Sequence, residues 1–374
     1  MRAFTLGLAI TAGAATLIAA RRTTPDARGM IRGAVPVQSL GAMTFGPDAT
    51  LFIADGAAAS LLALDVADQS PATFARDRAL SRDLDQKVAA ALGTTREKIR
   101  FRDMAVHPTT RNVYLTVAKV DGEASQPALI RVRGNDAVEV VDLGNLKHAT
   151  APIPGAPSRD AKTPWGQPQW TLTVTDLQYV DGELYIAGLS NEQFASALRR
   201  LPFPFGKTAS VNTVEIYHTS HDKWETAAPI EAFVPITVNG EAMIVAGYGC
   251  SPIATFKRAA LAGSKHVKGR TVAELGGGSR PIDIIRYQKE GKDWLLIANS
   301  ARTLMRMDPT AVATAPEMTT PMTEAYQTGG VGYLPVASNG VMQIDDFNAD
   351  FVAVLQRDVE TGTVNLMAYQ KKWL

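Results

Sequence analysis

DLQYVDGELYIAGLS, residues Asp176–Ser190, is the stretch that decides the fold: two short apolar runs separated by a polar turn. The same pattern recurs along the chain as AMTFGPDATLFIADG (Ala42–Gly56), DMAVHPTTRNVYLTVA (Asp103–Ala118), VPITVNGEAMIVAGYG (Val234–Gly249), PIDIIRYQKEGKDWLLIANS (Pro281–Ser300) and MQIDDFNADFVAVLQRD (Met342–Asp358). Within a copy the apolar residues alternate, as in Met104 and Val106 and then Val113, Leu115 and Val117. That is the period of a strand, and Asp-Gly or Asn-Gly between two such runs is a hairpin signal. A repeat of this size points to a solenoid, propeller or array.

A third run follows each copy: Ser60–Val66, Ala128–Arg133, Val211–Tyr217, Ile253–Lys257, Thr303–Met307 and Thr363–Tyr369. A fourth is visible at Ala137–Asp142 and Thr271–Leu275. Four antiparallel strands repeated six times predict an all-β, six-bladed β-propeller, in which neighbouring blades cover one another's apolar faces. The last copy shows three strands, so Ala34–Ser39 is expected to supply the missing outer strand and close the ring. This places a single propeller domain at residues 34–374, behind a linker at 21–33.

With strands lettered A to D from the axis outward, A and C run down and B and D run up. The D-to-A and B-to-C connections then share one face, the top, and the A-to-B and C-to-D turns share the bottom. Four long insertions, Pro71–Arg100, Gly144–Thr171, Asn191–Ser210 and Thr319–Gly340, are expected to decorate the top, as loops on a rigid scaffold do where they carry function. Ser81–Leu92 reads as a capped helix with Leu84, Val88, Ala91 and Leu92 on one stripe. Ser190-Asn191-Glu192-Gln193 has capping-box spacing and predicts a helix at Asn191–Arg199.

The residues expected at the channel mouth are Asp103 and Asp176 at the start of strand A, with Arg102, Thr175, Arg280, Gln343 and Asp345 beside them, and Asp55, Gly188, Gly247 and Asn299 at the end of strand B. Carboxylate and amide oxygens around one axis suit a hard cation such as Ca²⁺ or Mg²⁺, with Asp103, Asp176 and Asn299 as the candidate ligands. Crowded carboxylates also raise one another's pKa, which makes Asp176 a candidate general base. The plainer alternative is that these aspartates cap strand ends and pair with Arg102 and Arg280. Arg102, Arg280, Tyr248 and Trp165 are the candidate ligand-binding residues, Trp165 from the loop TPWGQPQW (Thr163–Trp170). The run Gly276-Gly277-Gly278-Ser279-Arg280 precedes a strand rather than a helix, so it is no dinucleotide fingerprint.

Of five histidines, His107, His218, His221 and His266 are expected on the bottom and only His148 on the top, which disfavours histidine chemistry at the mouth. His218-x-x-His221-Asp222 has zinc- or copper-binding residue types, although such a tip also reads as a solvated turn. Cys250, the single cysteine, is expected in the core and excludes an internal disulfide.

Lys and Arg number 38 against 37 Asp and Glu, so there is no basic footprint for nucleic acid. Residues 1–20 combine a basic start, an apolar run and small residues, the pattern of a secretory signal cleaved near Ala20, with an uncleaved anchor as the alternative. No later segment is apolar enough to span a membrane. A periplasmic or secreted protein is expected.

The units TLFIADG, ELYIAGLS and LLIANS, each after a polar hairpin, resemble six-bladed propellers of the SMP-30/gluconolactonase and NHL type. The lactonase members hold a divalent metal at the top of the channel with Glu, Asn and Asp. The resemblance implies Asp103, Asp176 and Asn299 for that role, while Ala42 stands where the family has its first glutamate. Two functions follow: an exported propeller binding a small ligand or a periplasmic partner protein on its top face, or a metal-dependent hydrolase of the lactonase type.

Overall fold

In the computed structural model, which describes residues 24–71, 79–250, 252–324 and 326–374, six mainly antiparallel sheets form a six-bladed β-propeller. Blade three shows the plan: strand A is Asp176–Val180, B Glu183–Leu189, C Ser196–Pro202 and D Ser210–His218. Six clusters of buried side chains fill the six seams between blades. Strand B of blade one, Thr50–Asp55, shows why no face is polar. Phe52 and Ala54 pack toward blade three while Leu51 and Ile53 pack toward blade two, so successive side chains serve different seams and the whole strand is buried. Complete burial of side chains this size contributes about 1.5–3 kcal/mol each.

The chain does not visit the blades in order. After strand C of blade one (Ser60–Asp65) it runs beneath blade two. There the Asp68 carboxylate accepts hydrogen bonds from Thr110, Asn112 and Tyr114. Ala79–Ser81 then pairs with Val364–Gln370 and becomes the outer strand of blade six. Helix α1 (Leu84–Ala91) packs its Leu84 and Val88 into the seam between blades six and two. Blade two follows (Ile99–Val106, Val113–Asp121, Ala124–Val132, Val138–Val140), and only then does Leu146–Pro152 return as strand D of blade one. Blade two is thus inserted between strands C and D of blade one. The order around the ring is two, one, three, four, five, six.

Closure by an N-terminal segment holds, but the segment is Ala79–Ser81 and not Ala34–Ser39. The latter forms no strand. Pro36 lacks an N–H, and Gln38 and Ser39 donate theirs to the Asp55 carboxylate. The ordered body also begins ahead of Ala34, since Met30 is buried and Ile31–Gly33 pairs with strand D of blade one.

The four long insertions are corrected in the same way, because each contains a strand. They hold strand D of blade six (Ala79–Ser81), strand D of blade one (Leu146–Pro152), strand C of blade three (Ser196–Pro202) and strand D of blade five (Leu334–Val336). The predicted helix at Asn191–Arg199 is therefore absent. Ala197, Leu198 and Leu201 are buried in strand C, and that tertiary burial outweighs the capping-box spacing. The helix expected over Ser81–Leu92 does form, but from Leu84, with Ser81 in a strand and Asp83 in a left-handed conformation at the N-cap.

Arg199 shows what holds the segment between strand D of blade one and blade three. It is fully buried in strand C, and its guanidinium donates to the carbonyls of Pro154, Gly155, Thr173 and Leu189. Burial pulls its pKa down to about 10, still well above neutrality. Gly188 permits the closest approach there: at φ +151° it has no room for a Cβ, which would sit 2.3 Å from the Thr173 carbonyl oxygen. Among the described residues no helix is long and apolar enough to cross a membrane.

Candidate functional site

The A strands enclose a central cavity of about 470 Å³. Asp103, Asp176, Asp283 and Asp345 line it, from blades two, three, five and six. Pro108, Arg111 and Asp181, from A-to-B turns, and Arg258, just after strand C of blade four, lie at its open end. The cavity therefore opens on the bottom face, opposite the one to which the sequence reading assigned the ligand.

Each of the four carboxylates reaches across a blade seam. Asp103 accepts the Met43 N–H of blade one, Asp176 the Phe233 N–H of blade four, Asp283 the Ile344 N–H of blade six and Asp345 the Val106 N–H of blade two. These bonds are 2.6–2.8 Å long and run the same way around the ring. In three of the four, the second oxygen accepts the N–H of the next residue in its own strand: Met104, Leu177 and Asp346. The seams from one to three and from four to five have no such carboxylate. Beta-bulges at Phe101/Asp103 and Pro281/Asp283 turn the strands so that Asp103 and Asp283 face the axis rather than the rim.

Deep burial drives Asp176 up to about 6 and Asp345 up to about 7. Burial also carries Asp103 and Asp283 well above the usual carboxylate range, and neighbouring aspartates add to the rise. These carboxylates accept backbone N–H bonds, which pull their pKa values down, and burial outweighs that pull.

The expected site residues do not converge. Asp103 and Asp176 line the channel, but Asn299 does not: its Oδ1 accepts the Ala301 N–H after strand B of blade five. Arg102 and Arg280 lie on the top rim outside the cavity. The Arg102 carbonyl accepts from Gln343, and Arg280 pairs with Glu231 at 3.5 Å. Tyr248 is corrected from ligand contact to core: it is 1% exposed and packs in the seam between blades three and four. Trp165 is exposed, with its indole N–H on Gln167, while Trp170 lies under Arg159 at 4.3 Å. Cys250 is half-buried in a turn at φ +61°, not in the core.

The histidine assignment is corrected at three positions, while His107 stays in an A-to-B turn and His266 in a C-to-D connection as expected. Val211–Tyr217 belongs to strand D of blade three, not strand C, so His218 and His221 stand at the top, on the outer edge of the blade. His148 pairs with Leu64 near the lower end of strand D of blade one. Asp283 is the functional-looking residue that the sequence reading missed. The bulge displaces it two residues from Pro281, the position that aligns with Asp176 in the unbulged pattern.

Neither a family model nor a curated protein matches this chain. Among solved structures it is similar to a putative oxidoreductase (glucose dehydrogenase) from Thermus thermophilus, at 13% identity and TM-score 0.34 over 91% of this chain and 99% of that one. It is similar to a Bacillus subtilis arabinanase at 14% identity and TM-score 0.36, over 69% and 90%. A PQQ-bound aldose sugar dehydrogenase from Streptomyces coelicolor gives 11% and 0.30, over 91% and 96%. At these values the likenesses add nothing about activity, and the six-bladed propeller rests on its own sheets.

Proposed function

We propose that this chain is an exported, ligand-binding propeller whose ligand is a small hydrogen-bond-donating molecule, cationic or polyhydroxylated, taken into the channel from the bottom face. The observation that carries this reading is the open cavity itself. Its volume lies in the range of small-molecule sites, about 300–1,000 Å³. Its wall supplies Asp103, Asp176, Asp181, Asp283, Asp345 and Asp346 against Arg111, Arg258 and Arg286. Arg258 is already paired with Asp181 at 2.8 Å and Arg286 with Asp293 at 3.6 Å, which leaves carboxyl oxygens as the more numerous polar groups facing a ligand and suits hydrogen-bond donors.

The lactonase-type alternative, a cation at the mouth held by Asp103, Asp176 and Asn299, has less support. The two carboxylates are used as seam acceptors and the amide lies elsewhere. A partner protein on the top face is also less supported, because each of the insertions that motivated it contains a blade strand.

A thermal-shift screen of polyamines and polyols tests the proposal. At least one class should raise the melting temperature of the wild type and leave unmoved a Thr44→Trp variant, whose indole fills the channel. Equal shifts in both proteins, or none in either class, would refute it. Export is part of the same proposal and concerns residues 1–20, outside the described residues. Protein recovered from the periplasm should begin near Arg21, and an intact N-terminus would refute cleavage.

A further inference from the structure

Strand D of blade three ends at His218, and a 3-10 turn, Thr219–His221, follows. In a 3-10 turn side chains three residues apart eclipse. The His221 ring accordingly lies over His218, with centroids 4.0 Å apart and planes at 37°. Asp222, at φ +48°, reverses the chain into an edge strand, Lys223–Glu225, which pairs back on strand D. That pairing sets Ile216 opposite Glu225 and His218 opposite Lys223, so Glu225 and His218 share a face as diagonal neighbours. Glu225 Oε1 is 3.1 Å from His221 Nδ1 and 3.7 Å from His218 Nδ1.

We propose that His218, His221 and Glu225 form a binding site for a divalent transition-metal ion of the zinc type. Two ligand atoms bound to one tetrahedral zinc stand about 3.4 Å apart, and the two measured separations bracket that value. Among the described residues this is the one group of three or more His, Cys, Asp or Glu side chains whose ligand atoms all lie within 4.8 Å of one another. Imidazole with carboxylate suits zinc or copper rather than calcium.

His218 is 3% exposed and turns its Nδ1 toward Glu225, so burial fixes the ring on the side where the other two ligand groups stand. The turn is also held in place before any ion arrives. Thr219 Oγ1 donates to Glu274 at 2.8 Å, from the end of strand D of blade four, and the Met322 N–H donates to the Thr219 carbonyl. The Lys223 ammonium stands 3.0 Å from Glu225 Oε1 and competes for it. Its side chain is 58% exposed and free to swing into solvent when an ion takes the oxygen. His221 is itself partly exposed, which leaves a coordination position open to water. Asp222, which the sequence pattern offered as third ligand, is engaged by the Tyr217 hydroxyl at 2.6 Å.

The test is a Zn²⁺ titration by calorimetry on the full chain after treatment with a chelator. The wild type should bind one equivalent. His221→Ala and Glu225→Gln should each weaken binding by at least about tenfold, the lower range seen even for outer-shell changes. Asp176→Ala should bind as the wild type does, which separates this site from the channel. His218 is read on the wild type, where its ring protons should shift in the NMR spectrum on adding Zn²⁺. No binding at millimolar Zn²⁺, unchanged affinity in His221→Ala, or unshifted His218 resonances would each overturn the proposal.

Discussion

The central channel and the outer edge of blade three both gather ionisable side chains, and they use them in opposite ways. In the channel, four carboxylates accept backbone N–H groups across the seams and are poorly placed to coordinate a metal ion. At the edge of blade three, burial would raise Glu225, yet His218, Lys223 and His221 together hold it down to about 2, and His218 keeps an unpaired nitrogen. Residue type alone, Asp around an axis or His in a hairpin tip, points to the channel as the metal site. The spacing of the ligand atoms points to the edge.

The largest effect that would break this contrast is expected at Asp176. Replacing it with alanine strands the Phe233 and Leu177 N–H groups, each at about 1–3 kcal/mol if left unsatisfied. Chemical unfolding should show a loss of roughly 2–6 kcal/mol. A near-neutral variant would mean the seam bonds carry little.

A smaller, pH-dependent effect sharpens it. Asp176 and Asp345 bind protons more tightly in the folded chain than in the unfolded one, near 6 and 7 against a usual carboxylate value close to 4. Between those values the folded state holds more protons, so stability falls as pH rises. The contribution is full below about pH 4 and lost as pH passes through 6 to 7. Asp345→Asn should flatten that decline, and urea midpoints from pH 5 to pH 8 measure it. A variant curve as steep as the wild type's would remove Asp345 from the explanation.

The smallest effect is expected at the edge. His221 is partly exposed, stacks on His218 and pairs with Glu225, so without metal His221→Ala should change stability by less than about 1 kcal/mol. Thermal melts in a chelator check this. A large loss would make the cluster a structural clasp.

The six A–B hairpins were legible because each sets two apolar runs across a polar turn, and a B strand buried on both faces reads as a continuous run, as Leu51 to Ala54 show. The ring order was not. Ala79–Ser81 and Leu334–Val336 are three-residue strands whose pairing is set by distant partners, and no local pattern announces them. Ser196–Pro202 was hidden by a capping-box spacing, and that error moved Val211–Tyr217 from strand D to strand C. One displaced strand was enough to send His218 and His221 to the wrong face. At the site, Asp103 and Asp176 were visible as axial residues, but Asp283 was not, because a bulge breaks the alignment by which it would be recognised. Glu225 escaped notice because it joins the histidines only through hairpin pairing.

The central claim is that the channel aspartates join blades and do not hold a metal ion. The most direct test is equilibrium unfolding of the wild type and Asp176→Ala, each with and without EDTA. The account predicts that the stability difference between them survives EDTA undiminished. A difference that disappears in EDTA would contradict it and return the metal to the channel.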